Sequence, residues 1–227
     1  MNQILIIFGF CVFAYLLCSV PFGEIIGRLK IGKLKSVDLQ KVGSGNIGAT
    51  NAFREAGRLK GSITAILDVG KATLPVFLAK DMLHLDLQGG WQPNVILLAV
   101  IISALLGSIF PIWLKFKGGK GMSVLFGSLL VILGWNWLIL LICFLYLIVE
   151  VAGRMVSLAS MILVGFLLPF LGFIWGIPFF YYLWVPASLL IILWAHRENR
   201  SRLKKGEEKP YPIPSIFARN KSPGLGT

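Results

Sequence analysis

The run Gly43-Ser-Gly-Asn-Ile-Gly-Ala-Thr-Asn-Ala-Phe-Arg54 concentrates more directed polar groups than any neighbouring stretch of an otherwise apolar chain. Gly43, Gly45 and Gly48 let backbone N–H groups approach a ligand closely. Ser44, Asn46, Thr50 and Asn51 add hydroxyl and amide donors, and Arg54 adds a permanent charge. That inventory suits a phosphate. The same letters satisfy G-x-G-x-x-G, and Asp68 follows Gly48 at the spacing of a dinucleotide fingerprint. The context excludes that reading: no strand precedes the run, and Asp68 falls inside an apolar segment instead of ending a second strand. A plain linker would use the glycines for turns but has no need of so many donors.

Two further clusters carry the same chemistry. Lys115-Phe-Lys117-Gly118-Gly119-Lys120-Gly121 is not a P-loop, because Gly121 stands where Ser or Thr would hold magnesium. Its glycines still open the backbone to an anion, and Lys120 adds a mobile charge. His196-Arg-Glu-Asn199-Arg200 follows a long apolar run, with Arg202, Gly206 and Glu207 beyond it. A helix running on through this stretch would put His196, Asn199 and Arg200 on one face. Asp68 and Lys71, at i, i+3 in an apolar segment, read as an ion pair that faces a bundle interior. Glu24, Arg28 and Glu150 fall near the ends of apolar segments, where they would tune the interface.

The elements that must position these clusters are membrane helices. Hydrophobic residues make up 56% of the 227 residues and charged residues only 14%, against about a quarter charged in soluble domains. Mean hydropathy is +0.80. A span needs about 20 apolar residues. Residues 3–27, 61–80, 93–114, 155–175 and 177–196 qualify. The run 120–151 is too long for one span and is interrupted at Gly134-Trp-Asn136, so two short helices joined by a turn are expected there. The fold class is thus an all-α polytopic membrane protein of seven transmembrane helices, N-terminus outside and C-terminus cytoplasmic. Residues 1–207 form the membrane domain and 208–227 a basic tail.

Charge supports that orientation. On this topology 20 of the 22 Lys and Arg residues fall on one side, and the outer connections hold none. The positive-inside rule makes that side cytoplasmic. The net charge of +12 therefore reports topology and no nucleic-acid partner. Cys11, Cys18 and Cys143 lie in apolar stretches at no zinc spacing, so neither a disulfide nor a metal site is expected. The first apolar run lacks a basic n-region and reads as a retained span.

With the clusters placed, the chain resembles the PlsY family, the bacterial integral-membrane glycerol-3-phosphate acyltransferases that use acyl phosphate as donor. The resemblance covers about residues 12–207. It rests on SVPFGEIIGRL at 19–29, VDLQKVGSGNIGATNAFR, LDVGK, FPIWLKFKGGKG, VSLAS at 156–160 and HRENRSRLKKGEE, in that order. It implies seven helices in the bacterial cytoplasmic membrane, a site facing the cytoplasm, a monomer and no cofactor. It also implies transfer of a fatty acyl group from acyl phosphate to the 1-hydroxyl of glycerol 3-phosphate, releasing lysophosphatidic acid and phosphate beside membrane lipid. Carried over by position, Ser44, Arg54, Lys120, His196 and Asn199 would hold the phosphates and the reacting centre. Gly43, Gly45, Asn46, Thr50, Asn51, Lys117, Gly118 and Gly119 would support them, with Asp68 and Lys71 as the family's polar pair.

A cationic, donor-rich site would bind both phosphates and stabilise the departing one. Acyl phosphate is already activated, so direct attack is expected, with His196 or a substrate oxygen taking the proton. Neither His84 nor His196 has an Asp five positions on, as a His-x-x-x-x-Asp acyltransferase would require. One position departs from the family: Gly107-Ser108 stands where Gly-His is usual, which removes an imidazole and makes an inactive paralogue an alternative. A channel or transporter for a phosphorylated anion would need a polar path to the outer side, and the outer halves of the spans are nearly free of charge.

Overall fold

A computed structural model of the chain describes residues 3–32, 34–87, 91–134, 141, 160–163 and 180–207. Among them no strand occurs; an isolated bridge joins Ile31 and Leu34. The helices are α1 (Gln3–Ser19), α2 (Phe22–Arg28), α3 (Ala49–Glu55), α4 (Arg58–Met82), α5 (Trp91–Ile109), α6 (Met122–Leu133), α7 (Phe180–Ala195) and α8 (Arg197–Lys205), with a 3₁₀ turn at Ile112–Leu114. Gln3–Arg28, Arg58–Met82 and Trp91–Leu114 are long and apolar enough to cross a membrane.

The first expected span is broken. Pro21 supplies no N–H, and the chain stops being helical at Val20 and restarts at Phe22. The missing N–H leaves the Leu17 carbonyl to the Val20 N–H, at 3.1 Å, and in hydrocarbon every such backbone group must find a partner. The Val20 oxygen accepts the Phe22 N–H at 3.1 Å and also the Lys71 ammonium of α4 at 2.6 Å, which pairs with Asp68 at 2.7 Å. A second proline acts in the reverse direction. Pro75 has no N–H for the Lys71 carbonyl, and the Cys18 thiol of α1 donates to that oxygen at 3.5 Å. Lys71 thus ties α4 to the broken α1–α2 segment through both its side chain and its backbone.

Small residues bring the other helices together. A Cβ on Gly107 would lie 2.2 Å from the Tyr15 carbonyl oxygen, so α1 and α5 touch backbone to backbone. The Tyr15 hydroxyl then donates to the Phe110 carbonyl at the end of α5, at 2.9 Å. Between these helices Ala14, Ala72, Val76, Ile101, Leu105 and Leu125 form one buried core. Ile4, Ile66 and Leu190 are 70–74% exposed, an arrangement that suits lipid and not water.

α6 ends at Gly134, whose φ of +68° favours glycine, in agreement with a break there. The expected partner helix over 137–151 lies outside the described residues apart from Leu141, as do nearly all of the 155–175 span and the 208–227 tail. Gly107→Ala should cost about 1–3 kcal/mol by overpacking, read as a lower thermal midpoint in detergent. An unchanged midpoint would mean that α1 and α5 separate freely.

Candidate functional site

The α2–α3 loop is built on hydrogen bonds from the helices around it. Lys60 is fully buried, and its ammonium donates to the Gly27 and Lys35 carbonyls at 2.8 and 2.7 Å. The Glu24 carboxylate accepts from the Leu39 N–H at 3.1 Å. Asn51 donates through Nδ2 to the Leu39 and Val42 carbonyls, both at 3.1 Å, and accepts the Ser44 N–H at 3.0 Å. Asn46 accepts the Gly48 N–H at 2.8 Å, a local turn that leads into α3.

The Gly-Gly-Lys turn is shaped by the end of α5. The Gly118 N–H donates to Ile109 O at 3.1 Å and the Gly119 N–H to Ser108 O at 2.9 Å. A Cβ on Gly118 would sit 2.3 Å from Pro111 Cδ, so the turn lies flat on that proline. Gln40 links this turn to the α2–α3 loop by donating to the Lys117 carbonyl at 3.4 Å.

At the third cluster the helix does not run through. α7 ends at Ala195, and α8 restarts at Arg197 with His196 as its N-cap. The His196 ring approaches the Ile192 carbonyl through Nδ1 at 2.8 Å. A carbonyl only accepts, so in the neutral ring Nδ1 carries the proton and Nε2 is the atom to which another can be added. Trp194, just before the break, packs against Phe110 with centroids 5.3 Å apart and rings tilted by 47°, and the Arg197 guanidinium lies 4.0 Å from the Trp194 ring centroid.

These three constructions wall one cavity of about 440 Å³. Gly43, Ser44, Asn46, Thr50, Asn51 and Arg54 come from the first; Ser108, Gly119 and Lys120 from the second; His196 and Asn199 from the third; and Asp68 and Lys71 lie beside the α1–α2 break. Gly45, Lys117 and Gly118 are not in the wall. Lys117 is exposed, because the turn presents its backbone and not its side chain to the interior. Arg200 is also exposed: with α8 restarting at Arg197, only His196 and Asn199 of the expected face are buried. Lys71 spends its ammonium on Asp68 and Val20, which gives the pair a structural task.

The wall also holds Cys18, Ser19, Ser123 and Ser160, which the pattern of the sequence did not single out for the site, and Arg202 and Glu207 from beyond the third cluster. Cys18 reads as apolar packing, yet beside the break at Pro21 it borders the cavity. Ser160 lies in the VSLAS stretch, whose small residues were its one signal. The α6 N-terminus enters the wall at Gly121–Ser123 with no side-chain cap, so its first N–H groups and the positive end of its dipole border the cavity. Arg54, Lys120, Arg202 and Lys71 against Asp68 and Glu207 make the lining cationic. The arrangement can hold phosphate groups beside an imidazole that accepts a proton at Nε2. Among the described residues no His/Cys/Asp/Glu group could hold a metal ion.

The chain is similar to proteins of one family. A family model described as glycerol-3-phosphate acyltransferase matches residues 8–206. A glycerol-3-phosphate acyltransferase of Jannaschia sp. (strain CCS1) is 40% identical over 199 residues, 86% of this chain and 88% of that protein. One from Prochlorococcus marinus (strain MIT 9312) is 39% identical over 210 residues, 91% of this chain and 96% of that protein. The crystal structure of the integral membrane glycerol 3-phosphate acyltransferase PlsY in its glycerol 3-phosphate form superposes with a TM-score of 0.78. It is 31% identical, covering 94% of this chain and 99% of that one. The lysophosphatidic acid form of PlsY gives a TM-score of 0.75 at 32% identity, covering 91% and 95%.

The chain has two histidines, so the His196 ring is readily assigned by ¹⁵N NMR once His84 is replaced. At alkaline pH its Nδ1 should show the protonated shift and Nε2 the unprotonated one. The opposite tautomer would remove the Ile192 contact and the orientation argued from it.

Proposed function

The chain belongs to the glycerol-3-phosphate acyltransferase family, and from that premise we propose that it transfers a fatty acyl group from acyl phosphate to the 1-hydroxyl of glycerol 3-phosphate. Lysophosphatidic acid and inorganic phosphate are the products. The observation that carries this reading is the convergence of three cationic, donor-rich clusters, far apart in sequence, on one cavity.

Arg54, Lys120 and the Ser44 hydroxyl bind the two phosphates, with Asn46, Thr50 and the Gly43 backbone supporting them. Their charge stabilises the phosphate as it leaves the acyl carbon. The glycerol hydroxyl attacks the carbonyl directly, since the mixed anhydride already carries a good leaving group. His196 Nε2 or a phosphate oxygen receives the hydroxyl proton, and Asn199, one turn along α8, orients the reacting groups. Ser108 occupies the wall with a hydroxyl, and its carbonyl shapes the Gly-Gly-Lys turn whatever its side chain is. The protein acts as a monomer of seven spans in the bacterial cytoplasmic membrane. Its N-terminus is outside, its C-terminal tail and site face the cytoplasm, and the acyl chain lies among apolar helices. The charge asymmetry of the connections supports that orientation.

Purified protein given acyl phosphate and glycerol 3-phosphate should form lysophosphatidic acid without coenzyme A. A folded preparation that makes none would sink the reading. Arg54→Ala and Lys120→Ala should each lower kcat/KM by about 10²–10³, while thermal midpoints stay near that of the unaltered protein. Ser108→His should keep or raise the rate, and a large loss would give Ser108 a role of its own.

A further inference from the structure

We propose that Asn51 and Glu24 are positioning residues: together they grip Leu39 and the turn after it, and so place Ser44 at the cavity wall before any substrate arrives. Asn51 would then act through Ser44 and not as a ligand of either phosphate.

The Asn51 amide is accounted for group by group. Its two Nδ2 hydrogens go to the carbonyls of Leu39 and Val42, and Oδ1 accepts the Ser44 N–H. No other side chain of that length offers two donors and an acceptor. The amide reaches the loop only because residue 43 is glycine: Gly43 has φ +60°, and a Cβ there would lie 2.3 Å from Asn51 Oδ1.

Leu39 is held on every side. Its carbonyl is taken by Asn51 on α3 and its N–H by Glu24 on α2, which is 5% exposed. Its side chain, wholly buried, packs on Ala52 of α3 and on Ala56 just after that helix. The second Glu24 oxygen pairs with Arg28, which reaches Asp38 at 3.0 Å, the residue next to Leu39. The peg is therefore fixed relative to two helices, and three hydrogen bonds from one amide span the short stretch from it to Ser44. A phosphate that used Asn51 as a donor would have to break one of them.

The test is hydrogen exchange on the full chain in detergent or nanodiscs without substrate, read on peptides spanning 42–46. Losing these bonds should speed exchange there about tenfold or more in Asn51→Ala, with α5 unchanged. Asn51→Asp keeps the shape and the acceptor for Ser44 but sets oxygen against the Leu39 and Val42 carbonyls. It should loosen the same peptides, and it decides the question if the alanine variant exchanges throughout. Arg54→Ala should leave these peptides as they are. Wild-type exchange over 42–46 in Asn51→Asp would overturn the proposal, whatever the activity. The kinetic arm alone rests on the acyltransferase reading: kcat/KM should fall in both Asn51 variants, and retention of full activity with a loosened loop would overturn the link to Ser44. A loosened loop in a chain whose unaltered form transfers no acyl group would leave the mooring in place and discard the reaction.

Discussion

The Lys71 ammonium, shared between the Asp68 carboxylate and the Val20 carbonyl, is the interaction on which the rest of the structure depends. A membrane helix cannot leave a backbone carbonyl unbonded, because no water is there to take it. Pro21 and Pro75 each remove a donor, one in the first membrane segment and one in α4. The two helices brace each other at these prolines: Lys71 bonds the Val20 carbonyl beside the first, and Cys18 bonds the Lys71 carbonyl that the second leaves without its helical donor. A buried charge is tolerable only when paired, and Asp68 supplies the counter-charge. With that exchange in place α2 can depart from the line of α1 and carry Glu24 to the loop.

From this junction the polar interior is assembled almost wholly from backbone. Lys60, Glu24 and Asn51 bond main-chain groups of the 27–44 segment, Gly118 and Gly119 bond the last carbonyls of α5, and His196 is oriented by the Ile192 carbonyl. Fixed dipoles and fixed donors do not have to reorganise when a phosphate enters, and this is where electrostatic stabilisation of a transition state acquires its strength. The Gln40–Lys117 bond and the tilted Phe110–Trp194 contact connect the elements that carry the three walls.

Much of this was legible without coordinates. Glycines among donors, a Gly-Gly-Lys-Gly turn and a His-Asn pair at helical spacing declare anion chemistry through residue type alone, and the three segments do meet. Apolar length declared the membrane helices, since α4 and α5 had little other use for such runs. What could not be read was direction. Lys117 and Lys120 are both lysines near glycine, yet one is exposed and one lines the cavity, because hydrogen bonds to Ser108 and Ile109 decide how the turn lies. Arg200 was grouped with His196 and Asn199 by helical spacing, and in the structure it is exposed while those two are buried.

The sequence by itself determined the class of structure, the donors and charges available to the site, and the family, because these follow from composition, from the groups that residues carry and from motifs in order. Only the tertiary structure decided which polar residues line the cavity and which hold the backbone. Asn51 reads as a substrate donor in a string of letters, and in space its amide is spent on Leu39, Val42 and Ser44. Hydrogen-bonding capacity belongs to the residue, but its use is set by what folding places within about 3 Å.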